Sequence, residues 1–227
     1  MSADAAPHWG FVTGLAAEAK IVRRFGCPVE IGGGTPEGAL GAAERLAKQG
    51  VNALVSFGFA GGLDPGLPAG ALIVPATVLS GGKVYRTDPA LAVRFGGSTG
   101  HCLIAGPEVV ATVRDKRALH EATGAHAIDL ESGSVAQVAE LLGLRFIAVR
   151  AISDTADRDL PPAALLALDR GGRIGVVRVL ASVLRNPAQV PGLLRLASDA
   201  ANARRALVGA WRADHAALRL PSVRQGL

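Results

Sequence analysis

Short apolar runs alternate along the chain with longer stretches of helical spacing. Trp9-Gly10-Phe11-Val12-Thr13 predicts a first strand, with Gly14-Leu15 as the turn out of it and a helix through Glu18, Lys20, Ile21 and Val22. Pro28 to Ile31 predicts a short second strand closed by Gly32-Gly33-Gly34. From Pro36 to Gln49, residues Ala39, Leu40, Ala43, Leu46 and Ala47 fall along one helical side, and Gly50 is placed to end the helix. Ala53 to Phe57 reads as a buried strand and Gly58 to Gly62 as a glycine-rich loop, with further strands at Leu72 to Leu79, Val84 to Arg86 and His101 to Ala105. The second half then alternates regularly: a helix from Val109 to Glu121, a strand at Ala127-Ile128-Asp129, a helix from Ser132 to Leu142, and a strand from Phe146 to Ile152. Beyond Asp154 the pattern is helical, with a short piece after Pro161-Pro162, one helix near Ile174 to Leu184 and one near Pro191 to Val208, the last two separated by Asn186-Pro187.

Helices alternating with apolar strands predict a mostly parallel sheet covered on both faces. The expected fold class is α/β, a single-domain three-layer α/β/α fold with a central mixed, mostly parallel sheet over residues 1–227. Residues 1–7 are expected to be flexible and 160–227 to form a helical C-terminal extension of the same domain. No internal repeat and no linker interrupts the pattern.

Composition agrees. A chain of 227 residues, 49% hydrophobic and 19% charged, can bury a substantial core, which excludes intrinsic disorder. Cys27 and Cys102 lie far apart and match no metal spacing, so a cytoplasmic location is expected. Neither a signal peptide nor an apolar run of about 18 residues is visible. From Arg170 to Leu227 there are ten Arg, two Asp and no Lys or Glu, a net +8 against +5 for the whole chain, so the remainder carries −3. The basic character therefore belongs to the C-terminal quarter and needs a local explanation. Nucleic acid is the ordinary explanation of such a tail, but no aromatic interleaving or recognisable motif accompanies it, so no nucleic-acid partner is expected.

In open α/β sheets, ligands bind beyond the carboxyl ends of the strands. Four places satisfy that rule: Thr13-Gly14 with Glu18 just after it, Gly58-Phe59-Ala60-Gly61-Gly62, Asp129-Leu130-Glu131-Ser132, and Ser153-Asp154. Each also has an ordinary reading. Glu18 fits a solvated helix position, Asp129 or Ser132 a helix N-cap, Asp154 a turn cap, and the glycines a tight turn. The run Gly32 to Gly38 lacks dinucleotide and phosphate-loop spacing, Asp154, Asp157 and Asp159 are only half a calcium loop, and the five histidines form no metal pattern.

As an ordered set these segments resemble the nucleoside phosphorylase and nucleosidase superfamily. The resemblance runs from about Trp9 to Asp159 and rests on Thr13-Gly14-Leu15-Ala16-Ala17-Glu18, Phe59-Ala60-Gly61-Gly62-Leu63, Asp129-Leu130-Glu131 and Val149-Arg150-Ala151-Ile152-Ser153-Asp154. The first and last are most similar to methylthioadenosine/S-adenosylhomocysteine nucleosidases. Asp157-Arg158-Asp159-Leu160-Pro161-Pro162-Ala163-Ala164 and the Arg/Leu helices after it look like the hopanoid-associated phosphorylases, thought to remove adenine from adenosylhopane.

The resemblance implies roles. Asp154 becomes the acid at purine N7, oriented by Ser153 and with Asp129 on the purine side. Glu131 and Leu130 bind ribose, Glu18 activates water, and Phe59, Ala60, Gly61 and Gly62 underlie the ribose and nucleophile. No metal or cofactor is implied, with inorganic phosphate open as a co-substrate. Glu18 favours water, and so does Phe59, which stands where many members carry a phosphate-holding hydroxyl. The hopanoid family name favours phosphate, with Arg23, Arg24, Arg86 and Arg150 as candidates to hold it. The substrate expected is a small-molecule or lipid-tailed adenosine. The alternatives are methylthioadenosine or nucleoside salvage, or a nucleoside- or lipid-binding module without activity. A homo-oligomer and peripheral contact of the basic helices with an anionic inner membrane surface complete the expectations.

Overall fold

The computed structural model describes residues 8–24, 26–165, 182 and 185–217, without the side chains of 211–217. The expected flexible segment 1–7 and, apart from Ser182, the helix expected near Ile174 to Leu184 lie outside the described residues. In chain order the elements are β1 (Trp9–Thr13), α1 (Ala16–Arg23), β2 (Val29–Ile31), α2 (Pro36–Lys48), β3 (Ala53–Gly62), β4 (Leu72–Ile73), β5 (Thr77–Ser80), β6 (Lys83–Arg86), α3 (Pro89–Ala92), β7 (Cys102–Ala105), α4 (Val113–Thr123), β8 (Ala127–Asp129), α5 (Ser132–Leu142), β9 (Arg145–Asp154), α6 (Pro162–Leu165) and α7 (Val190–Ala217).

The strands form one mixed, mostly parallel sheet. β2, β1, β3 and β9 are mutually parallel along their shared edges, and β8, β7 and β5 form a second parallel run. The runs join where Gly61 and Gly62, at the end of β3, pair antiparallel with Ile128 and Ala127. β4 and β6 add antiparallel pairs to β9 and β5.

Side-chain alternation along β3 explains how the layers stack. Ala53, Val55 and Phe57 face one side and pack with Ile21, Val22, Ala203 and Leu207 from α1 and α7. Leu54 and Ala60 face the other, among Ala39, Ala43, Leu46, Val135 and Ala139 of α2 and α5. A period of two in the strand thus feeds two helical layers, each with its own buried cluster. Helix ends follow local chemistry. Thr35 accepts the Gly38 amide at 3.1 Å with Pro36 at the first helical position, and Gly50 turns away from α2 at φ +80°. Gly50 therefore closes the helix as its position suggested.

Several boundaries differ from the sequence expectation, each for a visible reason. Gly58 to Gly62 is not a loop: β3 continues through it because β9 and then β8 supply partners. The expected strand Leu72 to Leu79 is split into β4 and β5 around Pro75, whose carbonyl accepts the Thr87 hydroxyl at 2.7 Å. α4 starts at Val113 rather than Val109, because Thr112 caps it by accepting the Asp115 amide at 3.1 Å. α3 was not expected, and Asp88 caps it, with Oδ1 accepting the Ala90 and Leu91 amides. Among the described residues no helix is long and apolar enough to cross a membrane.

Candidate active site

The carboxyl ends of β1, β3, β8 and β9 open onto one cavity of about 220 Å³. Glu18, Phe59, Ala60, Gly61, Asp129, Leu130, Glu131, Ser153 and Asp154 all line it, so the four strand-end segments do converge in space. Gly62 is a correction: it is tied into the sheet opposite Ala127 and is not among the lining residues.

Glu18 is not a solvated helix residue. It sits in the first turn of α1, 2% exposed, and its carboxylate reaches back to accept the Leu15 amide at 2.7 Å and across to accept the Phe59 amide at 2.8 Å. Phe59 thus contributes through its backbone, while its ring packs against the α1/α7 core. The approach requires glycine at position 58: a Cβ there would stand 2.6 Å from Glu18 Oε1 and 2.7 Å from Arg150 Nη1. Burial raises the pKa of Glu18, opposed by the nearby Arg150 and by the backbone donors.

Glu131 lies at the start of α5, buried, with Oε1 accepting the Gly34 amide at 3.1 Å. Gly14 is needed here, since a Cβ would meet Glu131 Oε2 at 2.7 Å. Burial pushes the Glu131 carboxyl up to about 8; Arg150, 3.9 Å away, opposes this, and Glu18 and Asp129 reinforce it. Asp129 is held differently. Its Oδ2 receives Arg150 Nη2 and the Ser132 hydroxyl, each at 2.5 Å, and the Ser132 amide also points at the carboxylate. Asp129 therefore lines the cavity as a carboxylate committed to Arg150 and to the start of α5, close to its ordinary helix-capping reading.

Arg150 itself is 1% exposed and donates to Ser56 at 2.5 Å, to Ser132 at 3.1 Å and to the Phe59 carbonyl at 3.3 Å. It is the single cation among the described lining residues, set beside Asp129, Glu131 and Glu18. Arg23, Arg24 and Arg86 are exposed and line no part of this cavity.

Asp154 ends β9, where the pairing with β3 slips by one residue: Ala60 faces Ile152, but Gly61 faces Asp154. The slip leaves Ser153 as the extra residue and turns Asp154 toward Gly61 at the cavity wall, a common use of a bulge. The Ser153 hydroxyl lies 3.4 Å from both Asp154 Oδ1 and the Ala60 carbonyl. Burial raises the Asp154 pKa, opposed by Lys116, whose ammonium donates to Oδ2 at 2.8 Å.

Sequence reasoning missed Lys116 and the loop carrying Glu108, Val109 and Val110, which enters the cavity because α4 begins late. It also missed a second cluster, in which ligand-type atoms of Asp64, His101 and His126 lie within 4.8 Å of one another. There His126 Nδ1 accepts the Cys102 amide at 3.1 Å, so the proton of the neutral ring sits on Nε2 and that nitrogen is a donor rather than a metal ligand.

Three raised carboxyl pKa values make stability pH-dependent. Between about 4.5 and about 8 the folded protein keeps a proton on Glu131 that the unfolded chain has lost. The folded state then binds more protons, so this stabilisation is complete below the unfolded pKa and disappears as pH rises through the folded one. Glu18 and Asp154 act in the same direction. The thermal midpoint is expected to fall from pH 5 to pH 8, and Glu131→Gln to flatten the decline. Calorimetry across that range checks it, and a midpoint that rises with pH would contradict the assignment.

A family model described as the Phosphorylase superfamily matches residues 8–94 and 99–181. Among curated proteins, the 5′-methylthioadenosine/S-adenosylhomocysteine nucleosidase of Bacillus cereus (strain G9842) is 30% identical over 107 residues, covering 47% of this chain and 44% of that protein. The match thus spans a little under half the length of that curated relative. Among solved structures, S-adenosylhomocysteine nucleosidase from Streptococcus pyogenes, in complex with 5-methylthiotubericidin, aligns with a TM-score of 0.63 at 18% identity over 82% of this chain and 99% of that one. Futalosine hydrolase of Helicobacter pylori strain 26695 aligns with a TM-score of 0.69 at 14% identity over 92% and 97%. These two share the fold.

Proposed function

The chain belongs to the Phosphorylase superfamily, and we propose that it is a purine nucleosidase, cleaving the N-glycosidic bond of an adenosyl nucleoside with water and releasing adenine. The observation that carries this reading is the convergence of three carboxyls, the buried Glu18 and Glu131 and the partly exposed Asp154, on one strand-end cavity, each with its pKa raised by desolvation.

The chemistry divides among them. Adenine leaves poorly as an anion, so a proton must reach N7 as the bond to the sugar breaks, and a carboxyl with a raised pKa can hold that proton near neutral pH. Asp154 is the acid. The sugar meanwhile takes on oxocarbenium character, which a carboxylate beside it stabilises. Glu131, ringed by Gly14 and Gly34, fills that place in its ionised form, which burial leaves dominant only above about pH 8, and in either form it grips the ribose hydroxyls, with the half-buried Leu130 beside it. Glu18, fixed by two backbone amides, takes the proton of the attacking water. Hydrolysis is favoured over phosphorolysis because Arg150 is the only cation among the described lining residues and is already bound to Asp129.

The substrate we propose is adenosylhopane, on the resemblance of Asp157 to Ala164 and the Arg/Leu helices to the hopanoid-associated phosphorylases. In the described part of those helices, Arg185, Arg195, Arg204 and Arg205 are exposed and Leu194 is 67% exposed, a surface suited to peripheral contact with anionic lipid. Leu141 and Leu142, 74% and 53% exposed at the end of α5, support a homo-oligomer. The second reading, methylthioadenosine/S-adenosylhomocysteine cleavage, is favoured by the names of the curated relatives. Mass spectrometry of products from adenosylhopane and from methylthioadenosine, each with and without phosphate, tests both. Adenine from adenosylhopane at the higher kcat/KM is expected. A preference for methylthioadenosine would replace the substrate, and adenine from neither would remove the activity.

A further inference from the structure

Lys116 is the buried residue of an otherwise polar helix, α4, and its side chain is 0% exposed. Its Nζ donates to Asp154 Oδ2 at 2.8 Å, to the Thr155 carbonyl at 2.8 Å and to the Arg158 carbonyl at 3.0 Å. An ammonium has three donors and no acceptor, so these three partners satisfy the charged form completely. A neutral amine would leave one acceptor unpaired. Lys116 lines no part of the cavity, whereas Asp154, 16% exposed, lies on its wall. The ammonium therefore reaches the carboxyl from outside that cavity.

A buried charge needs a strong reason, since an apolar side chain of similar volume is often as stable or more so. Here the cation's partners are Asp154 and the two carbonyls just beyond it. We propose that Lys116 is the positioning residue of the acid: it fixes the Asp154 carboxyl by Oδ2 and leaves Oδ1 as the oxygen that carries the proton to the purine. The inference rests on the nucleosidase reading of Asp154. As the glycosidic bond breaks, its electron pair moves to the departing base and the proton passes from Asp154 Oδ1 to N7. The carboxylate so formed already faces the Lys116 side chain at 2.8 Å. Lys116 thus opposes the burial of Asp154, keeping it from becoming too weak an acid to let go.

Of the other charges near the pair, Glu108 is exposed on the same cavity and Arg195 is exposed in the hollow that Asp154 shares with Arg158. Asp199 on α7 faces Asp154 and is itself paired with Arg158 at 2.9 Å. Asp157 lies in the loop, exposed and bonded to Thr155. Asp159 accepts the Val113 amide at 2.6 Å, holding the start of α4 against that loop. Lys116 is the cation bonded to Asp154 among the described residues.

The test compares wild type with Lys116→Met and Lys116→Arg. The Asp154 carboxyl is followed by carbon NMR without substrate, its signal assigned by its loss in Asp154→Asn. In Lys116→Met the Asp154 titration is expected to move up by about one pH unit or more, the usual effect of losing a close opposite charge. The alkaline limb of kcat/KM should move with it, and adenine release should fall at least about tenfold. Ribosides with a leaving group that needs no protonation, such as p-nitrophenyl riboside, should lose far less. Lys116→Arg, which keeps the charge, should keep the Asp154 titration near that of wild type, and serves as the readout if Lys116→Met fails to fold. An unmoved Asp154 titration with equal losses on both substrates would reduce Lys116 to a structural tie and overturn the proposal. A wild type that cleaves no nucleoside, yet shows the NMR shift, would instead remove the activity and leave the coupling standing.

Discussion

Asp154→Asn is expected to leave the protein folded and to slow adenine release by at least about a hundredfold, the scale of a lost general acid. Asparagine has the same shape, and its carbonyl can still accept the Lys116 proton that Asp154 Oδ2 accepts at 2.8 Å. The amide can donate a hydrogen bond to N7 but cannot transfer the proton, so binding should suffer less than turnover. The alkaline limb of the pH profile should disappear with the carboxyl that produces it, because the active form of Asp154 is the protonated one. Adenine release measured at several pH values, with circular dichroism as the check on folding, decides the matter. A folded variant within about tenfold of wild type would remove Asp154 from the acid role.

What the sequence makes legible is the part of the structure that obeys a period. β1, β8, α5 and the first half of β3 lie where alternation and helical spacing put them, because each has one uniform environment on each face. The end of β3 does not read as strand: Gly58 to Gly62 carry the composition of a loop, and only the partners on β8 and β9, distant in sequence, make them extended. The same glycines are needed for a different reason, the close approach of Glu18 and Arg150 to position 58. The carboxylates were found through ordered motifs at strand ends, which is where side chains leave the sheet toward a ligand. Lys116 has no such signature. It is one lysine in a helix of low mean hydropathy, and its partner lies 38 residues away on another element. Arg150 stands in the sequence only as a candidate to hold phosphate, and its ion pair with Asp129, the last residue of β8, emerges only from the fold. Buried ion pairs break the polar-outside rule that makes pattern reading possible, so they are the elements pattern reading loses.

The largest loss is expected from Glu18→Gln, which should depress hydrolysis by about a hundredfold to ten-thousandfold. Glu18 accepts two amides, one on each oxygen, from Leu15 and Phe59. Glutamine has a single acceptor oxygen, so one amide faces an NH2 group, costing about 1–3 kcal/mol for the unsatisfied donor. That cost lowers the thermal midpoint without explaining a catalytic loss of this size. The loss follows from the proton. Burial raises the Glu18 pKa, so its carboxylate is a stronger base than an exposed glutamate, but it is available only once pH has climbed through that raised value. Glu131 lies close enough that each carboxylate raises the other's cost of ionising, and the two titrate as a pair. The wild-type rate should therefore rise with pH as the pair loses its first proton and fall where Asp154 loses its own. Glu18→Gln should abolish the rising limb together with most of the turnover, and added phosphate should neither rescue it nor change the free-sugar product of wild type. If the sugar product were instead a 1-phosphate that grows with phosphate concentration, and Glu18→Gln retained that reaction, the nucleophile would be phosphate. Glu18 would then serve only to tie α1 to β3.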